Sequence, residues 1–67
     1  MDRLRELNLL LLCIDQRITW NDIRICRAHN KGKISLYSHE NIELSELRKK
    51  IHNEFVIEYD KKYESPD

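Results

Sequence analysis

Apolar residues recur along positions 2–17, "DRLRELNLLLLCIDQR", in two sets. Leu4, Leu7, Leu11 and Ile14 stand three or four residues apart, with Leu10 beside them, and so form one stripe of a helix. Leu9, Leu12 and Cys13 fall on the opposite side. A helix that is apolar on two sides is normally buried on two sides. In a chain of 67 residues, one side is expected to face the rest of the domain and the other a second chain, unless a compact fold wraps both. Leu9 and Leu12 are therefore candidate self-contact residues, and a homodimer is the expected state.

The next stretch changes period. "TWND" at Thr19–Asp22 has the form of a helix start, a threonine able to cap followed three residues later by an acid. Against that, Ile23 and Ile25 alternate with Arg24 and Cys26, and β-branched and polar residues dominate as far as His29. "HNKGK" then supplies turn chemistry, with Gly32, the only glycine, free to take a positive φ. "KISLYS" alternates again. The pattern predicts a β-hairpin, residues 22–29 paired with 33–38. A second helix over 19–29 is the alternative.

A clean helical stripe returns in "NIELSELRKKIHN", where Leu44, Leu47, Ile51 and Phe55 share a side and Asn41 or Ser45 can cap the start. Glu43 and Glu46 precede Arg48, Lys49 and Lys50, the order that the helix dipole favours. Continuing the stripe would place Glu58 and Lys62 on it, whereas Phe55, Ile57 and Tyr59 alternate like a strand. The expectation is a helix ending near Asn53 and a short third strand over 55–59. One long helix to Lys62 is the rival. Together these elements predict an α+β fold: N-terminal helix, β-hairpin, second helix and short third strand, with an all-α three-helix domain as the alternative. They make a single small domain over residues 1–62, followed by a frayed tail over 63–67.

Composition narrows the class. At 40% hydrophobic and 36% charged residues, the chain is too apolar for a disordered tail and too polar for a membrane protein. Its longest apolar run, Leu9 to Ile14, is far short of the roughly 20 residues that span a bilayer. That run also lacks a signal-peptide cleavage site. A cytoplasmic protein is expected. The two cysteines, Cys13 and Cys26, are read as small buried thiols rather than as a disulfide. Twelve basic and twelve acidic residues sum to zero. They are unevenly placed: residues 1–22 carry minus one, 23–38 plus four and 39–67 minus three.

Little in the chain carries catalytic chemistry. Cys26 and His29 could share a helical face, but no second element has zinc-ligand spacing, and neither a metal nor a cofactor is expected. One glycine cannot build a phosphate loop, and a chain this small has little core to give up to a substrate pocket. No catalytic residue and no small-molecule substrate are expected. The basic stretch "RICRAHNKGKISLYS", residues 24–38, has a charge suited to an acidic protein partner, or to phosphates if its strands enter a DNA groove. Trp20 is either a core-edge plug or an interface anchor. The sequence thus points to a small non-enzymatic protein-interaction module of the regulator, adaptor or inhibitor type. Its candidate partner-binding residues are Leu9, Leu12, Trp20, Arg24, Arg27, Lys31, Lys33 and Tyr37. A DNA- or RNA-binding regulator using residues 24–33 is the alternative.

Overall fold

The computed structural model describes residues 2–63 of the chain. Two helices, α1 (Arg3–Arg27) and α2 (Lys31–Tyr63), are joined by residues 28–30, and the described residues contain no strand. The fold is an all-α helical hairpin, which overturns the expected α+β domain and its three-helix alternative alike. Both predicted segments of the β-hairpin are helical: the first lies largely within α1 and the second opens α2.

Capping sets the boundaries. At the start of α1, Asp2 Oδ1 accepts the Arg5 backbone N–H at 2.7 Å, which holds the Asp2 carboxyl below its ordinary value. Thr19 starts nothing. Its hydroxyl donates to the Asp15 carbonyl at 3.0 Å, a bond back to the preceding turn inside a continuous helix. α1 stops where Ala28 turns extended, with φ −77° and ψ 137°. Asn30 then opens α2, its Oδ1 accepting the Gly32 N–H at 2.8 Å. Gly32 has no positive φ; it sits in the first turn of α2, so the expected turn glycine is a helical residue.

Beyond the tip, α2 runs unbroken through the expected strand at 55–59. Phe55, Tyr59 and Tyr63 stand four residues apart; Phe55 stacks on Tyr59 with ring centroids 6.2 Å apart, and Tyr59 meets Tyr63 at a tilt, 4.6 Å apart. Such pairs support a helix. The rival expectation of one helix continuing to Lys62 matches the C-terminal end of α2 to within a residue, but α2 begins at Lys31, ten residues before the expected cap at Asn41. Of the expected tail over 63–67, Tyr63 closes α2 and residues 64–67 lie outside the described residues.

What holds the helices together is a seam of coiled-coil spacing. On α1 it comprises Leu4, Leu7, Leu11, Ile14, Ile18, Asn21, Ile25 and Ala28, in alternating steps of three and four. On α2 it comprises Ile34, Tyr37, Asn41, Leu44, Arg48, Ile51, Phe55 and Glu58. All of these are buried or half-buried. Among the described residues the buried apolar side chains are Leu7, Leu11 and Ile14, and of these only Leu7 is fully enclosed. Three polar residues interrupt the α2 side of the seam. Leu47, expected on the stripe, is 45% exposed, and Arg48 takes the seam position.

Ion pairs fix the antiparallel register. Arg3 holds Glu54 at 2.5 Å and Arg17 holds Glu40 at 2.6 Å on one flank, while Arg48 reaches Asp15 at 2.7 Å on the other. The resulting rod measures 58 × 18 × 15 Å. No helix of the described residues is long and apolar enough to cross a membrane. Cys13 and Cys26 are both exposed, contrary to the expected burial. Separated by thirteen residues of one helix, roughly 20 Å, they cannot bond to each other within the chain.

Candidate functional site

The closed end of the rod carries an open groove of about 320 Å³. The last two turns of α1 supply Trp20, Ile23, Arg24 and Arg27; α2 supplies Lys33 and Tyr37. Ala28, where α1 ends, completes the wall. These positions converge because Trp20, Arg24 and Arg27 recur at helical steps on one side of α1, and the three-residue loop returns α2 beside them. Trp20 is 52% exposed, so it plugs no core within the chain. The Arg24 guanidinium lies over the Tyr37 ring, 5.6 Å from its centroid, a cation–π contact that orients both groups. The groove therefore pairs an aromatic and aliphatic floor with a cationic rim.

Arg24 of the rim lies near enough to Glu40 to help lower its carboxyl. No rim cation is held in an ion pair, however: among the described residues, Arg24, Arg27, Lys31 and Lys33 form none, whereas Arg3, Arg17 and Arg48 each hold a carboxylate of the facing helix. Acidic residues follow the basic stretch in the sequence. The structure directs them along α2, away from the tip, and the nearest, Glu40, is taken by Arg17. The Arg17 hydrogen bond, helped by a second from Asn21, pulls the Glu40 carboxyl down from 4.5 to about 2. Its guanidinium partner is pushed up in turn.

Below the groove lies a polar layer. Asn21 is fully buried in the seam, and its Nδ2 donates to Glu40 Oε1 and to Asn41 Oδ1, both at 2.9 Å. Asn41 Nδ2 in turn donates to Asp22 Oδ1 at 3.0 Å. Asn21 Oδ1 is buried without a hydrogen-bond partner. Sequence reading missed this layer, although steps of three and four through Ile18, Asn21, Ile25 and Ala28 would have exposed it.

Of the eight residues singled out from sequence, the groove unites Trp20, Arg24, Arg27, Lys33 and Tyr37. Lys31 opens α2 just outside it. Leu9 and Leu12 lie elsewhere on α1, exposed and off the seam. Ile23 and Ala28 are groove residues that sequence reading did not single out. Cys26 and His29 do not share a helix, because α1 ends before His29. Among the described residues, no group of three or more His, Cys, Asp or Glu side chains is placed to hold a metal ion.

Nothing among protein-family models, curated proteins or solved structures matches this chain.

Proposed function

We propose that this chain is a protein-interaction module of the regulator, adaptor or inhibitor type, a helical hairpin that completes its hydrophobic core by packing against other helices. One observation carries the reading: among the described residues three apolar side chains are buried, while twelve large hydrophobic ones are exposed. The exposed set includes Leu9, Leu12, Trp20, Ile42, Val56 and Ile57, spread over both helices. Single exposed hydrophobics are ordinary, but this many on a two-helix rod leave it a bundle cut lengthwise. Chains of this size seldom gain more than about 3–5 kcal/mol from their own core, so docking supplies stability as well as recognition.

The double variant L9E/L12E tests this, because both positions lie off the seam. The dilute chain should bind an apolar dye such as anilinonaphthalene sulfonate, and the variant should lose most of that binding while keeping its helical circular dichroism. A wild-type chain that binds no dye and unfolds with high stability at micromolar concentration would overturn the reading.

The competing reading, DNA or RNA binding through residues 24–33, draws on the same unpaired cations. Its β-ribbon form falls with the hairpin strands. Zero net charge and the carboxylates along α2 weigh against its helical form.

A further inference from the structure

We propose that the outer face of α1 is a self-pairing surface, on which two copies of this chain meet antiparallel about Gln16. This rests on the interaction-module reading and names the partner.

The face is dry. Gln16 stands opposite the seam, equally far around the helix from the seam residues Ile14 and Ile18. Leu9, Leu12, Trp20 and Ile23 share its side of α1, and all are exposed. From Leu9 to Ile23, no charged residue lies within about 60° of Gln16 around the helix. The matching side of α2 is built otherwise, with Glu43, Glu46, Lys49, Lys50 and Asp60 exposed on it. The rod therefore has one face suited to water and one suited to a partner, and α1 carries the second.

The spacing of that face points to a second copy. Leu9 and Ile23 each lie seven residues from Gln16, Leu12 and Trp20 each four, and Cys13 and Thr19 each three. The pattern reads alike in both directions, and a twofold interface requires a patch complementary to itself. A second α1 turned end for end about Gln16 sets Leu9 of one copy against Ile23 of the other. Leu12 then meets Thr19, and Cys13 meets Trp20. The two Gln16 amides, each able to donate and to accept, come together on the axis.

Charge permits the approach and sets its direction. With zero net charge, the copies do not repel each other as wholes. A parallel pair, however, would crowd two closed ends, each with Arg24, Arg27, Lys31 and Lys33 and no acid among residues 24–33. In the antiparallel pair these ends separate. Arg27 lies eleven residues along α1 from Gln16, so the two copies of it stand roughly 33 Å apart. That is several times the screening length of about 8–10 Å at ordinary ionic strength. Trp20 and Ile23 also wall the closed-end groove, so pairing leaves its cationic rim at the edge of the interface. The contact is small. Leu9 to Ile23 covers about 21 Å of a helix about 10–12 Å wide, less than the roughly 800 Å² per partner of a standard interface. Dilute chains are accordingly monomers, and pairing grows with concentration.

Sedimentation equilibrium of the full chain tests the inference, and the wild type should dimerise as its concentration rises from micromolar to millimolar. Gln16→Glu and Gln16→Lys each set like charges face to face on the axis. Each should weaken the dimer at least tenfold with helical circular dichroism unchanged, and an equimolar mixture of the two should restore it. Wild-type pairing in both variants, or no rescue on mixing, would take Gln16 off the axis and overturn the proposal. Direction is read from single cysteines in a C13S/C26S background under mild oxidation. Q16C should link to its own copy, whereas L9C should not, because the two positions lie about 21 Å apart. A self-linked L9C would mean a parallel pair and overturn the proposal. A chain that stays monomeric at millimolar concentration would end the second-copy inference. Should that monomer still bind dye through Leu9 and Leu12, the face belongs to a different protein and the module reading stands.

Discussion

Asn21 is the residue at which the hairpin gives up stability for definition. A buried acceptor without a partner costs about 1–3 kcal/mol, and Asn21 Oδ1 is such an acceptor. Its Nδ2, however, bonds only in the register that sets it against Asn41 and Glu40. A polar residue at one seam position fixes the alignment of helices in this way. Asn21→Leu should raise the free energy of unfolding by about 1 kcal/mol in urea titrations, with several registers then accessible. The same substitution has a signature in pH. Glu40 is depressed in the folded chain, so the stability it lends is present above its unfolded value near 4.5 and is lost as pH falls through about 2. Asn21→Leu removes one of the two donors that depress it. The Glu40 titration, followed by carboxyl NMR, should therefore move up and the acid-induced loss of stability should shrink. An unmoved titration would show that Arg17 alone sets the carboxyl.

Element boundaries depend on a few caps, and the sharpest is Asn30. With only residues 28–30 between the helices, its side chain must both end the loop and take up the Gly32 N–H. Asn30→Ala should cost about 0.5–2 kcal/mol, read as a lower urea midpoint, with fraying at the tip visible as faster amide exchange over 31–34. The first element was legible in the sequence because Leu4, Leu7, Leu11 and Ile14 form an uninterrupted stripe ending in buried residues. Past Ile18 the same seam continues, but Asn21 breaks its apolar run while Ile23, on the outer surface, falls into alternation with the seam residue Ile25. A two-residue period thus appears where the true one is three and four. α2 hid its length for the same reason, since Arg48 and Glu58 occupy seam positions and Ile57 and Tyr59 do not. Weak helix propensity of the β-branched residues amounts to only a few tenths of a kcal/mol each, which seam burial and caps outweigh. The closed-end residues, by contrast, were legible as a charge cluster; what the sequence lacked was the helical path that gathers Trp20 and Tyr37 among those cations.

At the scale of the whole molecule, a rod with three buried apolar side chains among its described residues that associates as proposed should not have one fixed melting temperature. If folding and pairing are linked, mass action stabilises the folded dimer by about 1.4 kcal/mol for each tenfold rise in concentration. For chains of this size that energy moves the melting midpoint by several degrees. Circular dichroism melts from about 5 μM to 500 μM should therefore climb steadily, whereas a self-sufficient monomer melts at the same temperature throughout. Salt adds an independent check on what drives the pairing. The closed-end cations form no ion pair among the described residues, so whatever attraction they add between copies should fall as ionic strength rises, while the apolar contribution persists. A midpoint that rises with concentration yet ignores salt would leave the apolar surfaces as the sole cause of pairing. The cations at the closed end would then have no part in holding the two copies together.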